Sequence, residues 1–307
     1  MEKKKKGSVS VLMIILATVL VCYAISMIIP VFWTLMTTLK TVTEYEFWGI
    51  DEGAAKIGNT LWFPHSFTLE NYVKAYKYFY IEVEPTTPNG RLMRYNIFAQ
   101  FTNSILFSVG SALAMTLTSA VMGYATARFP YKFSEFIYAF VLVALALPIV
   151  GSLPSEIATA QKLNLFDTFP GIWIMRSTFL NTYFLIFHAQ FKMVPKDYTE
   201  AAKIDGASPM RIMLTIIMPL VWGTIVAVFI LNFIALWNDF QVPMIYLPSH
   251  PVAAYGMYQF QNTAILEIAH TPTRLAGICL LAFPIIIFYA IFNKKFNVNL
   301  SVGGIKG

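Results

Sequence analysis

Long apolar runs separated by shorter polar segments form the main pattern of this chain. A helix that crosses a bilayer needs about 20 predominantly apolar residues, and six runs approach or exceed that length. They occupy residues 9–38, 102–127, 133–153, 171–191, 211–236 and 272–292. The pattern therefore predicts an all-α membrane protein with six transmembrane helices.

The composition agrees with a membrane protein. The chain is 57% hydrophobic and 12% charged, whereas a soluble domain is about 45–50% apolar and about 25% charged. The net charge of +6 then bears on membrane topology, since no basic patch interleaved with aromatic residues indicates nucleic-acid binding. Cys22 and Cys279 lie singly in apolar runs, so neither a disulfide framework nor a metal site is predicted.

The runs divide the chain into five parts. They are a cytoplasmic N-terminus at 1–8, a first transmembrane helix at 9–38, an external loop at 39–101, a five-helix core at 102–293 and a cytoplasmic tail at 294–307. The first run is too long for the apolar region of a signal peptide, which spans about 7–15 residues, so an uncleaved span is predicted. The external loop is too polar for lipid, and we expect short helices there.

The distribution of basic residues predicts the orientation. With the N-terminus inside, 13 basic residues fall on the cytoplasmic side and 3 in the short external loops, namely Lys162, Arg176 and Arg274. The loop 39–101 is left out, because loops longer than about 60 residues do not follow the positive-inside rule. Both termini and the loop at 195–209 are therefore predicted to be cytoplasmic.

The loop at 195–209 has the start and stop signals of two short helices joined by a bend. Asp197 can cap a helix N-terminus, and no helix breaker follows until Gly206, which suits a helix end. Ser208 can cap a second helix whose first position is Pro209. The sequence predicts a stub of about two turns, a sharp bend and a helix leaving in another direction.

The same loop resembles the EAA loop of importer-type ABC transporter permeases. The shared spacing consists of Glu200-Ala201-Ala202, Gly206, Ile216 and Met218-Pro219. Further resemblance to the carbohydrate-importer permeases, and within them to the second permease of maltose transporters, lies in Asn103-Ser104-Ile105, residues 123–128, 204–208 and 237–240, and the tail 300–307. The resemblance covers the chain from about residue 10 to its end, with the first external loop least alike.

The resemblance implies the type I ABC importer permease fold with a cytoplasmic coupling helix. In that family the EAA loop docks into a groove of the ATPase, so we call residues 195–209 the coupling loop. The docking residues implied are Glu200, Ala201, Ala202, Asp205, Gly206 and Pro219. The partners implied are a sister permease, two ATP-binding subunits, an extracytoplasmic solute-binding protein and a sugar substrate.

Three polar residues in and after the fifth run are candidates for a translocation pathway. Asn232 lies in mid-span, where a hydrogen bond between helices is the alternative reading. Asn238 and Asp239 follow at the predicted external end, with Asp239 at the mouth.

The sequence offers little for catalysis. It has no glycine-rich phosphate loop ending in Gly-Lys-Ser or Gly-Lys-Thr, no histidine pair spaced for a metal and no nucleophile pattern with a base. We therefore predict a transport subunit without cofactor or metal, with ATP hydrolysis by a separate partner. Two alternatives remain open: an amino-acid or peptide importer permease, and a channel or scaffold not coupled to ATP.

Overall fold

The structure is a computed structural model that describes residues 11–47, 60–61, 63–84, 92–129, 131–147, 151–263 and 265–300. The predicted N-terminal segment 1–8 lies outside these residues, as do the last seven residues of the predicted tail and parts of the loop 39–101.

The described residues are mainly helical. The helices are α1 Val11–Thr38, α2 Val42–Phe47, α3 Glu70–Tyr78, α4 Ile97–Arg128, α5 Lys132–Ala146, α6 Leu153–Lys162, α7 Phe169–Arg176, α8 Thr182–Met193, α9 Asp197–Ile204, α10 Pro209–Ile212, α11 Met218–Leu220, α12 Trp222–Trp237, α13 Gln241–Tyr246, α14 Ala253–Asn262 and α15 Thr271–Leu300. A π-helical segment, Met213–Ile217, joins α10 to α11, and a 3₁₀ turn, Leu266–Ile268, precedes α15. Strands β1 Ile81–Val83 and β2 Met93–Tyr95 pair antiparallel, with Ile81 opposite Tyr95.

Helix length and composition recover part of the predicted membrane topology. Among the described residues, Leu12–Thr38 and Ile97–Arg128 are long and apolar enough to cross a membrane. Pro209–Leu220 and Trp222–Trp237 form a third candidate if the two helices, bent by 77°, count as one span. Helix α15 contains a further apolar stretch, Thr271–Ile287. The other predicted spans are shorter or interrupted.

The predicted fourth span at 171–191 is not one continuous helix. Helix α7 ends at Arg176 and α8 begins at Thr182. Asn181 caps α8, since its Oδ1 accepts from the Phe184 N–H at 3.0 Å, and its Nδ2 donates to the Ser119 hydroxyl of α4 at 2.9 Å. Side chains such as that of Asn181 can bond the backbone locally and so interrupt a helix. The break was not predicted, because the segment 171–191 is apolar on average.

Several other boundaries differ from the prediction. Helix α4 starts at Ile97, five residues inside the predicted external loop, and α5 ends at Ala146 rather than near 153. Helix α15 continues to Leu300, so the predicted tail begins as helix. Short helices do form in the segment 39–101 that was predicted to be an external loop, and the β1–β2 pair is an addition that the all-α expectation lacked.

The chain divides into two compact units. The first contains residues 1–79 and 260–280, and its interior combines buried apolar side chains with buried polar groups. Asn71 Nδ2 donates to the carbonyls of Thr38 and Lys40 at 2.9 and 2.6 Å, and the Thr273 hydroxyl donates to Asn71 Oδ1 at 3.1 Å. Lys40 is itself buried, and burial lowers its pKa while the charge of Glu44 acts against that shift.

The second unit contains residues 80–259 and 281–307, and α4 is its central helix. Helices α7, α8 and α12 pack around it. Gly110 and Gly123 permit the closest approaches, because a Cβ at these positions would overlap Trp173 and Phe187 respectively. These small residues therefore permit close packing of the helices.

A row of buried polar side chains follows α4 at helical spacing. Its members are Gln100, Ser104, Ser108, Ser111, Thr116, Ser119 and Thr126. Ser104 accepts from the Ala253 N–H at 2.8 Å, and Thr116 accepts from Asn232. Ser104 and Thr116 thereby tie α4 to neighbouring segments, as does Ser119 through its bond with Asn181, and each of these bonds lowers the penalty of burying a polar group. Ser108 instead donates to the Ser104 carbonyl of its own helix.

Candidate functional site: the coupling loop

The first half of the coupling loop is helix α9, Asp197–Ile204. The predicted two-turn stub is confirmed, but its start lies one residue earlier than expected. Lys196 occupies the N-cap without a side-chain bond, and Asp197 is the first helical residue. Asp197 and Glu200 lie in the first turn, where carboxylates interact favourably with the positive end of the helix dipole.

Gly206 ends this helix in the way the sequence predicts. Its φ is +76°, a left-handed conformation that favours glycine. The Gly206 N–H donates to the Lys203 carbonyl and the Ala207 N–H to the Ala202 carbonyl, both at 3.0 Å. This pair of bonds is a Schellman motif, with Asp205 as the C-cap. No neighbour lies within 4 Å of a Cβ at Gly206, so the backbone alone requires glycine.

The second half begins with the predicted cap. Ser208 Oγ accepts from the Arg211 N–H at 3.4 Å, and Pro209 is the first helical residue. The helix then widens into the π-helical segment Met213–Ile217. Pro219 has no N–H to donate to Thr215 four residues earlier, which is a standard cause of such irregularity. The axis turns by 77° at the break before α12.

Ala202 attaches the loop to the rest of the second unit. It is buried and packs in an apolar cluster with Phe187, Phe191, Ile212 and Ile217. The resemblance implied both Ala201 and Ala202 as docking residues, and the structure places only Ala201 on the surface. Successive helix residues point about 100° apart, so the two methyl groups cannot share a face. Ala201 is exposed.

The outer side of the loop combines acidic and large apolar side chains. Glu200, Asp205 and Gly206 are exposed, and Ile204 has 86% of its surface accessible. Just beyond the loop, Met210 and Leu214 are also exposed, at 62% and 56%. Within the described residues, neither the Glu200 nor the Asp205 carboxylate has a hydrogen-bond or ion-pair partner. A surface of this composition suits a protein partner more than water.

The candidate pathway residues lie apart from this loop and are bonded within the chain. Asn232 is 3% exposed, and its Nδ2 donates to Thr116 of α4 at 3.1 Å. The Asn238 amide donates to the Ile234 carbonyl at 2.8 Å. Asp239 Oδ1 accepts from the backbone N–H groups of Gln241 and Val242 at 3.0 and 3.1 Å. Each has a structural role, and a pathway role stays a prediction.

Beyond the C-terminal end of α12, carboxylates that accept hydrogen bonds from other groups of the chain hold the loops together. The Tyr246 hydroxyl donates to Glu156 Oε2 at 2.8 Å, and Ser152 donates to the other oxygen. These two bonds lower the pKa of Glu156. Burial, with the bond to Glu156, raises the pKa of Tyr246 to about 12. Asp167 accepts from the Ser249 N–H at 3.0 Å and contacts His250.

Sequence reasoning missed two features of the second unit. The polar row on α4 carried a signal, because Gln100, Ser104, Ser108 and Ser111 recur at spacings of four and three. The second feature is a cavity of about 390 Å³ around His188, between α4, α5 and α8. The sequence gives no signal for this cavity, because its walls come from three separate helices.

Residues 116–298, more than half of the chain, match the family described as "Binding-protein-dependent transport system inner membrane component". The diacetylchitobiose uptake system permease protein NgcG of Streptomyces coelicolor is 24% identical over 92% of this chain and 86% of the relative. The trehalose transport system permease protein SugB of Mycobacterium tuberculosis is 28% identical over 67% of this chain and 78% of the relative.

A solved structure has a similar fold. It is a bacterial ABC transporter "involved in the import of the acidic polysaccharide alginate", with a TM-score of 0.71 and 17% identity over 95% of this chain and 100% of that chain. The match supports the all-α permease fold that the resemblance implied. Together with the family match and the geometry of the coupling loop, it shows that this chain belongs to the binding-protein-dependent transport system inner membrane components, a family of membrane transport subunits rather than enzymes.

Proposed function

We propose that this chain is the transmembrane permease subunit of an ATP-driven, binding-protein-dependent importer for a sugar or oligosaccharide. The observation that carries the proposal is the coupling loop, a two-turn helix with exposed acidic and apolar side chains on a buried base. Its task is to couple closure of the ATPase subunits to alternating access of the membrane pathway.

The construction of the loop supports a force-transmitting role. Ala202 fixes α9 to the apolar cluster that also contains Phe187 of α8 and Val228 of α12. The Schellman motif at Gly206 ends α9, and Ser208 caps the next helix two residues later. Displacement of α9 would therefore move the packed ends of α8 and α12 with it, because close-packed interiors transmit strain.

The orientation supports the same role. In this proposal both termini and the coupling loop are cytoplasmic, as the excess of basic residues in the short loops on that side favours. The five parts of the chain keep their predicted bounds as a proposal, with the core at 102–293 and the loop 39–101 outside.

The partners follow from the family. The proposed assembly contains this chain, a sister permease, two ATP-binding subunits and an extracytoplasmic solute-binding protein. The sugar class is supported by relatives named for diacetylchitobiose, trehalose and arabinooligosaccharide transport. Import of an amino acid or peptide by the same machinery is the alternative within the family.

The docking surface on this chain would consist of Glu200, Ala201, Ile204, Asp205 and Gly206. The carboxylates offer negative charge to a basic groove. The exposed Ile204 side chain would become buried on docking and serve as the apolar anchor at the centre of the interface. Ala202 and Pro219 would contribute indirectly. Ala202 attaches α9 to the apolar cluster, and Pro219 lies in the short helix α11 before the bend. Asn238 and Asp239 are proposed at the outer end of the pathway.

The substitution Ile204→Glu tests this docking surface. Because the side chain is exposed, the fold should tolerate the change, while a charge in the apolar centre of an interface is costly. We expect copurification of the ATPase subunits to fall at least tenfold. Leu163→Glu is the matched control, since Leu163 is also exposed, at 61%, but lies beyond the far end of α12. Equal ATPase recovery from both variants would overturn the docking assignment.

A further inference from the structure

The cavity between the ends of α4, α5 and α8 lies outside the coupling loop and the candidate pathway. It has a volume of about 390 Å³, within the range of small-ligand sites. Its walls are formed by Thr126, Ala127, Ser134, Glu135, Tyr138, His188, Ala189 and Lys192. The lining includes a carboxylate, an ammonium group, an imidazole and three hydroxyls.

The hydrogen bonds around the cavity leave it rich in acceptors. Thr126 Oγ1 donates to a carbonyl of its own helix, that of Met122 at 2.9 Å, so its contact with His188 Nδ1 at 2.9 Å requires the imidazole to donate. A neutral His188 then presents Nε2 as an acceptor. Ser134 Oγ donates to the Phe129 carbonyl at 2.6 Å and can only accept a further bond.

The two charged groups of the cavity are not used within the described chain. Neither Glu135, in the first turn of α5, nor Lys192, in the last turn of α8, forms an ion pair there. Opposite charges on the rim of one acceptor-rich cavity fit a ligand that is itself a zwitterion. Glu135, Ser134 and the His188 imidazole suit a primary ammonium group, which has three N–H donors, and Lys192 suits a phosphate.

The neighbouring surface of α5 indicates where such a ligand comes from. Phe133, Phe136 and Phe140 are exposed, at 69%, 63% and 50%, and form a stacked row on the helix that carries Glu135. An apolar row next to a polar cavity at the ends of membrane helices fits acyl chains beside a headgroup.

We propose that this cavity binds the headgroup of a phospholipid that carries a primary ammonium and a phosphate. The ammonium lies at Glu135, Ser134 and His188, and the phosphate lies at Lys192. The site would hold one lipid at the ends of α4, α5 and α8, independently of ATPase docking.

Native mass spectrometry of the full-length chain, purified with its partner subunits, tests the proposal. We expect dioleoyl phosphatidylethanolamine to bind about tenfold more tightly than dioleoyl phosphatidylcholine, because a quaternary ammonium cannot donate to Glu135. Glu135→Gln should remove this preference. Lys192→Gln should weaken both lipids alike, and Lys162→Gln, on α6, is the matched control without effect.

Equal binding of the two lipids by the unchanged protein would overturn the proposal, as would a preference that survives Glu135→Gln. Competition with soluble phosphoethanolamine separates the two sources of the same chemistry. Weak displacement of bound lipid by the soluble compound supports a lipid site. Binding of soluble phosphoethanolamine without retention of any lipid would overturn the lipid assignment. These readouts do not depend on ATPase docking, so they can fail or succeed separately from the proposed function.

Discussion

The two ends of α12 use acidic residues in opposite ways. In the coupling loop, Glu200 and Asp205 are exposed, and no described group of the chain bonds to their carboxylates. Beyond the other end, Glu156 accepts from Tyr246, and Asp239 accepts from two backbone N–H groups. An acid bonded within its own chain therefore stabilises a loop, whereas an unbonded acid is available to a partner.

The largest expected effect comes from Gly206→Pro. Proline fixes φ near −65°, whereas Gly206 has a φ of +76°, and proline also lacks the N–H that bonds Lys203. The end of α9 must therefore rebuild, at a local cost on the order of 3 kcal/mol. We expect ATPase copurification and transport to be lost.

Gly151→Pro is the matched control for this change. Gly151 also has a positive φ, +86°, with no neighbour within 4 Å of a Cβ, but it lies beside α6. The control should destabilise its own loop and leave ATPase copurification intact. If both variants lost ATPase copurification equally, the assignment of docking to the coupling-loop end of α12 alone would be wrong.

An intermediate effect is expected where the loop meets the core. Ala202→Leu would insert a larger side chain into the cluster around Phe187 and Ile217, and overpacking a core costs about 1–3 kcal/mol. Ala201→Leu changes an exposed neighbour and should alter stability by less than about 0.5 kcal/mol.

Thermal unfolding and ATPase copurification, measured together, separate these two alanines. Ala202→Leu should lower the unfolding temperature, while Ala201→Leu should impair docking at unchanged unfolding temperature. The reverse pattern would contradict the burial of Ala202.

The smallest effect is expected from Tyr246→Phe beyond the far end of α12. The variant loses the bond to Glu156, worth about 1 kcal/mol at neutral pH. The native bonds hold the pKa of Glu156 below its usual value of 4.5. Their contribution is therefore full above pH 4.5 and is lost as the pH falls through the lowered pKa.

The difference in stability between Tyr246→Phe and the unchanged protein should thus shrink under acid. Because Glu156 is exposed, the part that depends on pH is small. Unfolding measured in detergent at pH 7 and near pH 3.5 checks this, and transport should be little changed. A difference that is constant or grows toward acid would show that Glu156 is not the partner.

Local chemistry made the coupling loop predictable from sequence. Gly206, Ser208 and Pro209 act through their own backbone geometry and nearest hydrogen bonds, so their roles could be read without tertiary information. The burial of Ala202 was also accessible, because helical periodicity separates it from Ala201. Family resemblance added the type of partner, which no local rule supplies.

Other features depend on contacts between distant residues. The break between α7 and α8 is held by Asn181, whose amide bonds Ser119 on another helix. Asn232 had two readings, and only its proximity to Thr116 favours the structural one. The cavity at His188 needs three helix ends to converge. Such features follow from packing, which the order of residues alone does not reveal.

The polar row on α4 has a consequence for how the chain is made. During synthesis α4 emerges well before Asn181 and Asn232, which lie 62 and 116 residues after their partners Ser119 and Thr116. An asparagine amide released into hydrocarbon without a partner is costly. An already inserted α4 gives each later helix a place to bond on arrival, so the biogenesis of this protein should follow the order of its sequence.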